Sequence, residues 1–369
     1  MDEKPILLKA GCNRTQFAAF LDRLASDLPH LEEWASFCIT HYSDEFLEEM
    51  RRCTVRLRSG LLPHKLDSVE GRQILKAWAL AIRMSILEHS LEPENTAVRV
   101  ALWRALHLEA DAPPHVFEDK VGLTLVAPND GWQSRPDMSP FTRPFRASII
   151  ARARFIEDLV AEQVEQGVEQ YVILGAGLDT FAQRRPELAS RMTLFEIDQP
   201  GPQAWKRQRL LELGLGLPSF LRLVPVDFEA GDNWREKLTA SGFDAAKPAI
   251  VASTGVSMYL TKEAILATFQ QVAGFAPGST LAMSFMLPIE MNEPEIRPGV
   301  ERAAAGAKAN GTPFISFFMP EEIMQLASEA GFREVKHVSA VMLTNRYFAN
   351  RSDGLRPPLN SEEILVAKT

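Results

Sequence analysis

The chain has 369 residues, 40 of them basic and 48 acidic, and a formal charge of −8 that excludes a general electrostatic attraction to nucleic acid. Apolar side chains make up 46% and charged ones 24%, the balance of an ordinary globular protein, so disorder throughout is excluded and the length suits one large domain or two of common size. No apolar run approaches the ~20 residues needed to cross a bilayer, and the opening Met-Asp-Glu-Lys-Pro lacks the basic-then-apolar order of a secretion signal, so a soluble, cytoplasmic protein is expected, with neither membrane nor nucleic acid as partner.

Residues 1–92 read as a helical extension. Phe17, Phe20, Leu21, Leu24 and Leu28 recur at helical spacing, a second helix runs from Leu31 to about Arg58 before Ser59-Gly60, and a third from Asp67 to about Leu91 buries Ile74, Leu75, Trp78, Ile82 and Ile86. These stripes are packing faces. Cys12, Cys38 and Cys53 all fall here, form no C-x-x-C pair and read as buried thiols. No histidine spacing resembles a zinc site, and no metal is expected.

From Asn95 a helix carries Val98, Leu102 and Leu106 on one face and ends at Ala112-Pro113-Pro114. Pro113 to Pro144 reads as an irregular connection. Helix returns from Thr142 to about Gln166, with Ile149, Ile150, Ile156, Leu159 and Val160 inward and Gly167 beyond its end. Strands are then expected at Tyr171 to Leu174, Thr193 to Ile197, Leu221 to Val226, Ala249 to Ser253 and Thr280 to Phe285, and late strands at Val335 to Leu343 and Ile364 to Ala367. Helices fill the gaps at Thr180 to Ala189, Pro202 to Leu213, Asn233 to Ser241, Lys262 to Phe275 and Glu321 to Ala330. Such alternation specifies an α/β fold, a doubly wound, mostly parallel sheet of seven strands ending in a hairpin. The excursion from Leu287 to Pro320, with a helix-like stretch at Val300 to Ala309, is long enough to form a lid at the carboxyl ends of the strands.

Chemistry concentrates at those carboxyl ends. Ile173-Leu174-Gly175-Ala176-Gly177-Leu178-Asp179 closes the first strand, and Gly175 and Gly177, flanking Ala176, let backbone amides approach a ligand. The full G-x-G-x-x-G fails, because residue 180 is Thr. About twenty residues on, Glu196 and Asp198 end the second strand, where an acid accepts hydrogen bonds from a ribose diol. Asp227 and Phe228 end the third, placed for an adenine amino group and ring. Asp179 puts a carboxylate where a dinucleotide would bring its pyrophosphate, so a cationic nucleoside fits better, and S-adenosyl-L-methionine has a sulfonium, an ammonium and no phosphate.

Leu174-Gly175-Ala176-Gly177-Leu178-Asp179, Phe195-Glu196-Ile197-Asp198-Gln199-Pro200 and Gly255-Val256-Ser257-Met258-Tyr259-Leu260 resemble the leucine carboxyl methyltransferase family, and Arg346-Tyr347-Phe348 with Asp353-Gly354-Leu355 resemble the tail of its bacterial members. The resemblance starts near Asn95-Thr96-Ala97 and spans about three quarters of the chain. It implies a Rossmann-like methyltransferase core over 167–369, a helical cover over the donor at 93–166, and a pairing of Arg152 with the donor carboxylate, a role for which the guanidinium fork is suited. Arg154 reads equally well as a solvated face. One departure stands out: Ser253-Thr254 precede Gly255 where the family often has Glu, so Thr254 can offer the donor or substrate only a hydroxyl.

Methyl transfer is an in-line displacement that needs alignment and exclusion of water. An acceptor carboxylate is ionised at neutral pH, whereas a phenol generally needs a base. Histidine is scarce in the core, which favours carboxylates or acidic hydroxyls of a small molecule or peptide. His107, His115 and Tyr259 are the bases within reach, and Arg346 and Arg351 the candidate clamps, so Tyr259 and Arg346 stand as the catalytic candidates. The competing readings are a catalytically silent methyltransferase fold serving as an interaction module, and a nicotinamide-dependent oxidoreductase.

Overall fold

Strands covered by helices on both faces need apolar side chains at every position rather than at alternate ones. Four such segments, buried along nearly their whole length, join an edge strand, β3 (Leu221–Pro225), that is exposed at Arg222 and Pro225, to make the parallel part of the sheet; the four are β1 (Gln170–Leu174), β2 (Thr193–Asp198), β4 (Ile250–Ser253) and β5 (Thr280–Met286). In β5 all seven residues are buried. β6 (Glu334–Val338) and β7 (Glu362–Lys368) complete the order β3-β2-β1-β4-β5-β7-β6, with β7 antiparallel to both its neighbours. The expected seven-stranded doubly wound sheet is the observed one. The computed structural model describes residues 95–228, 232–309 and 311–369; the helices and cysteines expected before residue 92 lie outside the described residues.

The strand period sorts the core into two layers. Tyr171 and Ile173 of β1 join Leu194, Ile250 and Ile364 against Ile150, Ile156 and Val160 of α3 (Arg143–Glu165). Val172 and Leu174 join Phe195, Ile197, Val251 and Phe285 on the other face. There they meet Ile265 and Phe269 of α8 (Lys262–Ala273) and Ile323 of α10 (Pro320–Glu329). α1 (Asn95–Ala110) and α2 (Lys120–Val126) precede α3, and Glu92–Thr369 form one unit, so these helices and the sheet share it. Between β1 and β2 lie α4 (Phe181–Arg184) and α5 (Pro186–Ala189), and α6 (Pro200–Glu212) and α7 (Trp234–Ala240) follow β2 and β3. α9 (Arg297–Ala309) and α11 (Ala340–Tyr347) are the remaining α-helices among the described residues. No helix among the described residues is long and apolar enough to cross a membrane.

Three local expectations are corrected. The connection from Pro113 to Pro144 is not irregular throughout: Asp119 accepts the Gly122 amide at 2.8 Å, which caps α2, and short 3-10 turns follow at Trp132–Ser134, Pro136–Met138 and Pro140–Thr142. The single helix expected over Thr180 to Ala189 breaks in two because Pro186 disfavours helical geometry in the residue before it, and Arg185 sits at φ −123°, ψ 51°. The strand expected over Val335 to Leu343 ends at Val338, where the Ser339 hydroxyl accepts the Met342 amide at 3.2 Å and starts α11. β6 and β7 therefore pair across a helix rather than through a tight hairpin.

Candidate active site

β1 lies between β2 and β4, so the connections leave its carboxyl end in opposite directions and open a crevice there. A cleft of about 830 Å³ fills that crevice, floored by Gly175 to Asp179 and walled by α1, α3 and α9.

The glycine loop is held by its own surroundings. Gly175 and Gly177 adopt φ 72° and 50°, and a Cβ at Gly175 would stand 2.5 Å from Cγ2 of Val256. The amides of Gly175 and Ala176 donate to the Ile197 carbonyl at 2.9 and 3.1 Å. The Gly177 amide donates to Oδ2 of Asp198, and the Gln199 amide to Oδ1 at 2.7 Å. Burial raises Asp198 above the usual carboxylate range despite those two amides. Asp179 accepts the Phe181 amide at 2.8 Å, so that amide, at the start of α4, is already engaged and is not left for a phosphate. Behind the loop, Arg104 donates to the Leu178 carbonyl at 2.7 Å and pairs at 2.8 Å with buried Asp119, which also accepts the Thr180 hydroxyl at 2.9 Å.

Beside the loop stands Arg152, paired with Glu362 from the first position of β7. Ser148 donates to the other oxygen of Glu362 at 3.1 Å. Gly255 packs so closely that a Cβ there would meet Nη2 of Arg152 at 2.9 Å, and its amide donates to the Ser284 hydroxyl at 2.8 Å. Further along, the cleft turns aromatic. Phe141, Phe145, Met258, Tyr259, Val300 and Phe314 line it, with Tyr259 edge-on to Phe314 at 5.4 Å. Arg99 lies over Trp103 and Arg302 over Phe141, and among the described residues no carboxylate pairs with either. The excursion expected as a lid supplies part of this wall through α9 and Phe314.

Of the residues singled out in the sequence, Arg152, Gly175, Ala176, Gly177, Asp179, Asp198, Thr254 and Tyr259 come together in the cleft. Others do not. Glu196 is fully buried, paired with Lys206 and capped at its carbonyl by Gln203 at 2.7 Å. Burial, with the nearby charges of Asp179 and Asp198, raises it to about 7 against the pull of Lys206. It is a buried partner of α6 and does not line the cleft. Asp227 and Phe228 follow β3 outside the cleft lining, Phe228 at 47% exposure. Arg346 is bonded to Asp158 of α3 at 3.0 Å and lies outside the cleft lining. Arg154 pairs with the same Asp158 at 2.8 Å. Arg351 is spent on Asp353 and the carbonyls of Ala112 and Pro114. His107 is buried with Nδ1 on Asp111 at 2.9 Å and Nε2 on the Val116 amide at 3.0 Å, so neither nitrogen is left for a substrate proton. Sequence reasoning missed Arg99, Arg104, Arg302 and Glu362. For Glu362 a signal existed: Ser361-Glu362-Glu363 open a buried apolar strand, an expensive place for acids without a task.

This sheet order, with an acid fastening a glycine loop at the switch point, is the architecture of the class I methyltransferases. The model of the leucine carboxyl methyltransferase family matches residues 97–273. YktD of Bacillus subtilis, whose name carries an inferred S-adenosyl-L-methionine-dependent methyltransferase activity, is 31% identical over 225 residues, covering 61% of this chain and 71% of that protein. A Mycolicibacterium gilvum protein of like name is 38% identical over 204 residues, covering 52% of this chain and 65% of its own length. A solved DUF574 family protein from Streptomyces avermitilis is 17% identical, covers 75% of this chain and 98% of that one, and superposes with a TM-score of 0.45. The chain belongs to the leucine carboxyl methyltransferase family and so to the S-adenosyl-L-methionine-dependent methyltransferases.

Proposed function

We propose that this chain transfers a methyl group from S-adenosyl-L-methionine to a carboxylate or hydroxyl oxygen of a small molecule or peptide. The observation that carries the reading is the continuity of one cleft from the loop fastened by Asp198 to the aromatic wall of Tyr259 and Phe314. When bound, the donor supplies an electrophilic methyl on a positively charged sulfur. Asp198 receives the ribose hydroxyls, the glycine loop lets the nucleoside approach, and Arg152 takes the amino-acid carboxylate. Asp227 and Phe228 are proposed to reach the adenine edge from the end of β3.

The aromatic wall supports a flat or apolar acceptor body, and the guanidinium groups of Arg99 and Arg302 favour an anionic one. A carboxylate acceptor needs no base at neutral pH, in keeping with a His107 whose nitrogens are both engaged. Tyr259 then orients the acceptor oxygen. Charge is lost in the reaction, so α9 and Phe314 assist by keeping water from the methyl.

Thermal shift with S-adenosylhomocysteine tests the donor half. The wild type is stabilised, NAD gives no shift, and Asp198→Ala weakens binding by about ten- to a hundredfold, the worth of hydrogen bonds to a charged acceptor. An unchanged shift in that variant would reassign the ribose acid. A screen of carboxylic acids and phenols with labelled donor tests the acceptor half: tight donor binding without transfer to either class would instead mark a silent fold.

A further inference from the structure

We infer that Glu362 positions the donor: with Arg152 it forms a cation and anion side by side that receive the α-carboxylate and α-ammonium of the donor's amino-acid end. The inference rests on the methyltransferase reading and deepens it. Both residues line the cleft, and their side chains are 10% and 9% exposed. They are contiguous with the glycine loop, since Gly175 packs on Val256 and the adjacent Gly255 packs on Arg152.

Taking two charges out of water costs about as much as their attraction returns, so a buried ion pair is a poor way to hold a fold together. Placed at a cleft it has another use. A guanidinium carries five N–H donors and a carboxylate about four acceptor sites. Here each uses only some of them, Glu362 on Arg152 and Ser148. A zwitterion can join the pair without leaving any charge unmatched, because its carboxylate meets the guanidinium and its ammonium meets the remaining lone pairs of Glu362.

The other acids of the cleft have other partners. Asp137 is paired with Arg135, Glu157 with Arg184 and Arg185, Asp179 accepts the Phe181 amide, and Asp198, on the Gly177 and Gln199 amides, is the acid proposed for the ribose. The end of β4 offers only hydroxyls, at Ser253 and Thr254. Glu362, arriving from the antiparallel strand opposite Met286, is therefore the carboxylate that stands beside Arg152.

The test compares S-adenosylhomocysteine with its analogue in which hydrogen replaces the α-amino group, by calorimetry on the full chain. Wild type should bind the deaminated compound about ten- to a hundredfold more weakly, the range for a charged hydrogen bond. Glu362→Gln should lose affinity for S-adenosylhomocysteine but little for the analogue, so its preference falls toward unity. Wild-type preference retained in Glu362→Gln overturns the proposal. So does a preference below about threefold in the wild type, a readout that needs no variant to fold. Failure of both compounds to bind the wild type removes the methyltransferase reading itself, which separates the two outcomes.

Discussion

At the scale of single residues, the site depends on glycines whose missing side chains make room for their neighbours. Gly255 adopts φ 73°, a conformation that disfavours any side chain by about 1–2 kcal/mol, and its missing Cβ is the space Arg152 occupies. Gly255→Ala should lower Tm by a few degrees and weaken S-adenosylhomocysteine binding by about tenfold or more as Arg152 is displaced. Calorimetry with Tm on the same sample checks both, and undiminished affinity would show that Arg152 does not touch the ligand. This scale also divides what could be read from the sequence. Gly175, Gly177 and Asp198 were legible because a strand, a tight turn and a strand-end acid are local events with fixed spacing. Arg99, Arg302 and Glu362 were not, because they reach the cleft on elements far apart in the chain, and only the packing of α1, α9 and β7 brings them there.

Elements are joined by charge as well as by apolar faces. Glu196 of β2 and Lys206 of α6 are both about 1% exposed at their side chains and bonded to each other. Burial lifts Glu196 to about 7, above its unfolded value near 4.5. The folded protein then holds a proton that the unfolded chain releases between those values, so this group's contribution to stability is full below pH ~4.5 and is lost as pH rises through 7. Replacing the pair together, Glu196→Gln with Lys206→Met, should flatten the fall in Tm over that window; an unchanged slope would assign it to other groups. The double change avoids leaving one charge buried alone. Element boundaries are legible where a break in period coincides with a cap or glycine. The sequence misleads at Val335 to Leu343, where β-branched residues mask the Ser339 cap, and at Thr180 to Ala189, where helix formers on both sides of Pro186 mask the break it imposes. Ser339→Ala should lower stability by about 1 kcal/mol in urea unfolding while leaving donor binding intact, because α11 faces away from the cleft lining.

Across the whole unit, one charge network ties the helices that precede β1 to the late chain. Burial alone would raise Asp111, but His107 and Arg146 hold it well below the usual carboxylate range, and Arg143 approaches it at 3.3 Å. Arg143 also pairs at 2.8 Å with Asp353, which Arg351 holds well below that range too. Depressed acids stabilise the folded state above their unfolded pKa near 3.8 and lose that contribution as pH falls below it. The protein should therefore lose Tm steeply below pH ~4, and Asp353→Asn should start lower at neutral pH and decline less. A variant that tracks the wild type in parallel down to pH 2 would remove Asp353 from the cause. The motif Asp353-Gly354-Leu355 was legible as a family signature, yet its role as an anchor for α3 depends on contacts more than two hundred residues apart.

Asp198 already holds the Gly177 and Gln199 amides, one on each carboxylate oxygen. Each oxygen keeps a second lone pair, so incoming hydroxyls can be accepted without breaking either bond. Entry of the nucleoside then needs no reshaping of the turn beneath it, and deuterium should replace the Gly177 amide proton slowly whether or not the nucleoside is present.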